Sequence, residues 1–278
     1  MKLDVFRSLW GWRGDPYAMA AEVREQGFAG VEARMRVEPQ VFRAALAAEG
    51  LDHIAVAFTG GDVVAVQAWD VARHCDELAR AIERAEAYDA RAVNVLAGND
   101  RWPLAQQVDF FGRAQALADA APMPVTFESH RAGSLYSPWL TLEIIAQVPG
   151  LRFTADLSHW VVVCERRLDD PLDDLSPFID RVHHMQARVG YDQGPQVPHP
   201  AAPEYADWLH WHGAMWQAIW TAAAARGQDI MTLTPECGAD GYTHLLPFTQ
   251  APVADRHEMN LWLAQWCRAR FAQWKDPQ

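Results

Sequence analysis

Four short runs carry acids, histidines and an arginine just where apolar β-forming residues give out. VTFESH supplies Glu128 and His130, and TADLSHW supplies Asp156, His159 and Trp160. VHHMQARVG supplies His184, Gln186 and Arg188, and LTPEC supplies Glu236. Positions 184, 186 and 188 alternate, so on a strand their side chains share one face. Each residue alone has a plain structural explanation: a carboxylate at a strand end caps a helix or meets an arginine, and a single histidine is often satisfied within a core. The joint pattern says more. Three converging carboxylates (Glu128, Asp156 and Glu236) repel one another unless a proton or a cation neutralises them. A divalent metal is the simplest neutraliser. Oxygen-rich sites suit Mn or Mg, the favoured ions here, with Co or Zn where nitrogen joins.

The elements that would position these residues alternate along the whole chain. Runs rich in Val, Ile, Phe and Thr predict strands at 3–10, 30–34, 53–59, 92–98, 124–130, 152–159, 182–190 and 230–237. Helical spacing predicts helices at 15–26, 38–49, 68–88, 104–120, 138–147, 173–179, 205–226 and 256–274. Asp15-Pro16 and Ser137-Pro138 are helix-start signals, while Gly27, Gly50 and Gly227 follow predicted helix ends, where a left-handed C-cap favours glycine. Eight β-then-α units without a linker or a repeat favour an α/β fold, a closed (β/α)8 barrel forming a single domain over residues 1–278. The open doubly wound alternative would show G-x-G-x-x-G after the first strand, and that fingerprint is absent. In a barrel of this kind the active site lies at the C-terminal ends of the strands, where all four runs end.

Composition narrows the classes of function. With 24 Lys and Arg against 36 Asp and Glu, the net charge is −12, which argues against a nucleic-acid partner. No run approaches the ~20 apolar residues of a membrane helix, so no membrane partner is expected. The start, MKLDVFRSLWGWRGDP, has no apolar run of signal-peptide length, and the 4 scattered cysteines suit reduced thiols; a cytoplasmic location is expected. The 13 tryptophans suggest a cleft or interface lined by them, and a homo-oligomer is compatible with such a surface. Trp208, Trp211, Trp216 and Trp220, at helical spacing, read as core first. Trp10, Trp12, Phe58 and Trp102 follow or end strands, where they could stack on a sugar ring. The Pro/Gly-rich stretch 190–205 reads as a lid or as a packed surface loop. Arg166-Arg167 reads as a solvated helix end, and Gly238-x-x-Gly241 is a weak phosphate signal.

The motifs VTFESH, TADLSHW, VHHMQARVG and LTPE resemble those of the xylose isomerase-like barrel superfamily, the sugar phosphate isomerase/epimerase group that also contains endonuclease IV. The resemblance spans essentially the whole chain. It implies one divalent metal held by Glu128, Asp156, a ligand on the seventh strand and Glu236. It also implies that His159 contacts substrate or helps to move protons and that Arg188 orients substrate oxygens. The chain departs from the pattern at one place: the usual His-x-His reads His184-Met185-Gln186. By register Gln186 takes the ligand position, with His184 on the same face as the alternative. A neutral amide oxygen suits Mn or Mg better than Zn.

The chemistry expected from this site is proton abstraction next to a carbonyl of a small sugar-like substrate, with a metal-stabilised enediolate. Glu128 and Glu236 would be the acid/base pair, His159 an auxiliary, and His130, His184, Arg188, Trp160 and Trp10 the substrate contacts. Isomerisation or epimerisation follows directly. Elimination from a keto-inositol or a 3-keto-glycoside is the neighbouring lyase reaction. A non-catalytic ligand-binding protein is the reading that Gln186 favours, and an apurinic endonuclease is disfavoured by the acidic charge.

Overall fold

The computed structural model describes residues 1–276. The eight strands are β1 Lys2–Ser8, β2 Gly30–Arg34, β3 Asp52–Phe58, β4 Ala92–Leu96, β5 Val125–Glu128, β6 Phe153–Ala155, β7 Val182–Ala187 and β8 Ile230–Pro235. All pair in parallel with their neighbours in chain order, and β1 closes on β8 through Lys2–Ile230 to Val5–Leu233. The helices are α1 Pro16–Glu25, α2 Pro39–Ala48, α3 Val71–Ala87, α4 Leu104–Ala120, α5 Pro138–Gln147, α6 Ser158–Cys164, α7 Ser176–Ile179, α8 Ala206–Ala225 and α9 Arg256–Lys275. The fold is a (β/α)8 barrel, as the alternation predicts.

Local chemistry sets the element ends. Asp15 accepts the Ala18 N–H at 2.8 Å with Pro16 opening α1, and Asp255 accepts the Glu258 N–H at 2.9 Å at the head of α9. The sixth unit differs from its expected form. The strand expected to reach residue 159 stops at Ala155, because Asp156 Oδ1 accepts both the backbone N–H (3.0 Å) and the hydroxyl (2.5 Å) of Ser158. That short-range turn starts α6, which the sequence pattern did not reveal.

Outward-facing strand residues such as Val93, Val95, Phe127 and Phe153 pack beneath the helices in one continuous core. Most of the tryptophans serve this core rather than a cleft. Trp160, Trp216 and Trp220 are fully buried, and Trp216 against Trp266 and Trp220 against Phe271 make an aromatic seam between α8 and α9. At the N-terminal end of the barrel, Arg91 bonds Asp4 of β1 at 2.9 Å and Asp52 of β3 at 2.7 Å. Among the described residues, no helix is long and apolar enough to cross a membrane.

Candidate active site

The barrel interior is polar where barrels of this kind are usually filled by branched aliphatics. Its lower layer joins Thr126 to Thr154 (2.7 Å) and the His184 Nδ1 to Thr232 (2.8 Å). Above it Glu32 of β2 gathers three partners: Asn94 (3.0 Å), the amide nitrogen of Gln186 (2.8 Å) and His184 Nε2 (3.2 Å). Burial works to raise the Glu32 pKa, but His184, Thr234 and Asn94 outweigh it and hold the carboxyl below its ordinary value. Asn94 also gives its second amide hydrogen to Glu128 Oε2 at 2.7 Å, tying the two carboxylates into one network.

Arg188, one residue past β7 and 1% exposed, dominates the top layer. Its Nη2 contacts Asp156 Oδ2 and gives a hydrogen to His159 Nε2 at 2.7 Å, while Nε donates to Ser158 Oγ at 3.0 Å. Its Nη1 lies 3.2 Å from Glu236 Oε2 but makes no well-directed hydrogen bond, so a buried donor remains without a partner there. The ring of Tyr242 lies over the guanidinium at 4.7 Å. Gly190 allows this packing, because a Cβ there would meet the Ser158 backbone at 2.7 Å.

The two carboxylates expected to do acid/base work have shifted protonation. Burial pushes the Glu128 pKa well above the ordinary carboxyl value, and the charges of Glu236, Asp156 and Glu32 push it further. Burial also raises Glu236; Arg188 offsets part of this, while Asp156 and Glu32 add to it. The nearby histidines are held neutral. Burial, with Arg188 and Arg131 adding to it, lowers His130 to about 3, and burial with His130 and Arg188 takes His159 well below its usual range.

Glu128, Glu236, Arg188 and His130 line the floor of a cleft of about 1040 Å³, together with Glu32. Trp10, Trp12, Phe58 and Tyr242 form its aromatic walls. Arg34 stands at its side, stacked on Phe58 at 4.3 Å and paired with the exposed Asp62 at 3.1 Å. Trp10 is set by its edge contact with Tyr242 (5.0 Å), by Asp240 (3.2 Å) and by Gly238, where a Cβ would strike its ring at 2.2 Å.

Other sequence-expected residues lie elsewhere. Trp160 is turned into the core, where its Nε1 donates to the Leu135 carbonyl at 2.9 Å against Phe178; it cannot reach the cleft as a substrate contact. His184 sits one layer below the floor, spent on Thr232 and Glu32. Trp102 packs on His74 and Phe110. The 190–205 stretch is packed: Val197 is buried, and Gln196 grips the Gly238 N–H (2.6 Å) and the Tyr242 carbonyl (3.0 Å). Arg166 makes a bidentate pair with Asp173, in keeping with a structural role. Sequence reasoning left Glu32, Asn94 and Tyr242 unassigned. Asn94 had a signal of its own, as the one polar residue within the strand run AVNVL.

A divalent ion needs free lone pairs aimed at one point, and the expected donors offer them unevenly. Asp156 spends Oδ2 on Arg188 and Oδ1 on Ser158. Glu236 faces Arg188 through Oε2, and Gln186 turns its amide nitrogen to Glu32, which leaves its amide oxygen buried without a partner. Among the described residues the grouping whose ligand atoms do come within 4.8 Å of one another is Glu128, His130 and His159. There His159 Nε2 takes a hydrogen from Arg188 while its Nδ1 is buried without a partner, and His130 Nδ1 faces the Arg131 carbonyl, leaving Nε2 as its free nitrogen. Glu128 uses only Oε2 for Asn94, so the cluster offers a carboxylate oxygen and a ring nitrogen from each histidine, the three protein donors that a catalytic ion site combines with water.

Parallel (β/α)8 closure with acids, histidines and an arginine at the C-terminal mouth defines a barrel protein of the enzyme-like kind. A family model described as xylose isomerase-like TIM barrel matches residues 20–192, and the chain belongs to that family. No curated protein matches it. Three similar solved structures show the range of the fold. The D-allulose 3-epimerase from Methylomonas sp., in complex with D-allulose, aligns with TM-score 0.62 and 13% identity, covering 97% of both chains. The probable 3-DHS dehydratase of petrobactin synthesis from Bacillus anthracis aligns at 0.56 and 13%, covering 94% of this chain and 98% of the other. Endonuclease IV from Thermus thermophilus aligns at 0.59 and 16%, covering 98% of this chain and 100% of the other. At these identities the likeness establishes the fold alone.

Proposed function

We propose that this barrel catalyses proton transfer at a carbon next to a carbonyl in a small sugar-like compound, giving epimerisation or aldose–ketose isomerisation. The observation that carries the reading is the pairing of two elevated carboxyls, the buried Glu128 and the largely buried Glu236, with the unpartnered Nη1 of Arg188 on the cleft floor. One carboxylate in its ionised form removes the proton, and the other in its acid form returns it; burial raises both, Glu236 to about 8, which favours the acid form that the return step needs. Arg188 donates to the substrate oxygen as negative charge develops there, in a dry setting where such a donor is worth most. His130 Nε2 is free to accept from a hydroxyl, and Trp10 offers a ring face to the sugar. Asp156 and His159 act by holding Arg188.

A second reading, elimination from a keto-inositol or a 3-keto-glycoside, begins with the same proton abstraction and expels a group one carbon further on. The cleft volume of about 1040 Å³ favours it, since a single monosaccharide would leave room for an aglycone. The net charge of −12 supports a small-molecule rather than a nucleic-acid substrate.

The test is solvent exchange. Ketoses, keto-inositols and 3-keto-glycosides are incubated with the protein in D2O and followed by NMR. Deuterium should enter at the carbon next to the carbonyl of at least one compound. Glu128→Gln and Glu236→Gln should each slow that exchange about 10²–10⁴-fold while the fold is retained. Full activity in either variant, or no exchange across the panel, would overturn the assignment.

A further inference from the structure

We propose that Arg34 forms an anion subsite of the cleft and that the substrate is a sugar acid, its carboxylate held by Arg34 while its carbonyl end lies on the floor. This rests on the proton-transfer reading above and adds to it the class of substrate. Arg34 is the last residue of β2, two places after Glu32, so strand alternation puts both side chains on the inner face of the barrel. Glu32 belongs to the floor network, and Arg34 stands about 6–7 Å further along the strand, at the mouth. It lines the same cleft as Glu128 and Glu236, and it counts among the charges that offset the burial of Glu236.

The guanidinium is oriented but weakly engaged. Phe58 stacks on it at 4.3 Å and fixes its plane. Among the described residues its ion-pair partner is Asp62, 3.1 Å away with a side chain 67% exposed, and a pair so open to water contributes little. Asp62 also accepts the Val63 N–H at 2.8 Å, so it keeps a partner when a ligand takes the arginine. A planar carboxylate meets the fork of Arg34 with two parallel hydrogen bonds. Arg13 and Arg36 line the same cleft and add positive potential beside Arg34, whereas the floor carries Glu32, Glu128 and Glu236. That gradient orients a molecule charged at one end, acid at the rim and carbonyl below. A phosphate ester fits less well. Barrels usually seat phosphate on the loops after the seventh and eighth strands. Here the N–H groups of Gly190, Cys237 and Gly238 in those loops donate to His212 (3.0 Å), Asn260 (2.6 Å) and Gln196 (2.6 Å). Asp240 places an acid in the same region.

Binding, read apart from turnover, tests this. Hexuronates and aldonates, their neutral parent aldoses and the aldose 6-phosphates are titrated calorimetrically into the full chain, and the Tm of each mixture is recorded. At least one acid should bind about 10–100-fold more tightly than its neutral parent, the range of a charge-assisted pair, and added salt should shrink the difference. Arg34→Met keeps the stem that packs on Phe58 and removes the fork. It should bring that acid down to the affinity of its parent, whose own binding reports an intact cleft. Acids that bind no better than their parents in wild type would overturn the proposal whether or not the variant folds. So would a preference that survives in Arg34→Met, or a phosphate ester bound more tightly than every acid. The same acids join the D2O exchange experiment. An acid held through Arg34 with no exchange in any compound would sink the proton-transfer reading and leave the subsite. Exchange confined to neutral compounds would sink the subsite and leave the reaction.

Discussion

At the scale of single residues, the side chain that ties the network together is Asn94. Its two amide hydrogens serve Glu32 (3.0 Å) and Glu128 (2.7 Å), two carboxyls whose charges repel. Asn94→Ala removes both bonds without removing either acid. The loss should be about 1–3 kcal/mol in urea denaturation, the usual penalty of leaving a buried polar group unpaired. Exchange should slow as well, because Glu128 loses the one donor that orients it. Asn94→Asp is isosteric but adds a third acid, and it should be worse on both counts. If Asn94→Ala matched wild type in both measurements, the network would be incidental.

At the scale of elements, the loop after β8 shapes the aromatic wall. Gly238 is the contact that allows it, since Trp10 leans where a Cβ would stand. Gly238→Ala should displace Trp10 and raise KM several-fold with kcat little changed, because the wall binds substrate and transition state alike. A matching fall in kcat would place Trp10 closer to the reacting atoms than this geometry allows. The same elements mark how far the sequence could be read. Strands and their order were legible because buried parallel strands are short apolar runs between helical patterns, and a run that ends in Glu128 or Glu236 announces the mouth of a barrel. Helix α6 was not legible, since one Asp–Ser contact two residues apart overrides the β-propensity of the run around it. Nor were the partners of Gln186 and Arg188. They come from β2, the turn after β6 and the region after β8, and only closure of the barrel brings those residues together.

At the scale of the whole molecule, the barrel stores unfavourable charge at one end. Glu128 and Glu236 have folded pKa values raised above their unfolded ones, chiefly by burial. Between the unfolded and folded values the folded state binds more protons, so stability falls as pH rises through that window. Buried histidines run the opposite way: burial lowers His53 to about 4 and His212 to about 3, so they favour folding as pH rises toward 6.5. A variant that keeps these histidines but loses one carboxyl separates the two effects, because the histidine contribution cancels in the difference. Glu128→Gln preserves the acceptor for Asn94 and removes the ionisable group. It should therefore be more stable than wild type at pH 8, with the advantage shrinking toward pH 5, where the acid of the unfolded chain also begins to take up its proton. Urea denaturation of both proteins at the two pH values measures this. Inactivity joined to a gain in stability is the signature of a residue retained for chemistry; equal destabilisation at both pH values would instead make Glu128 a structural acid.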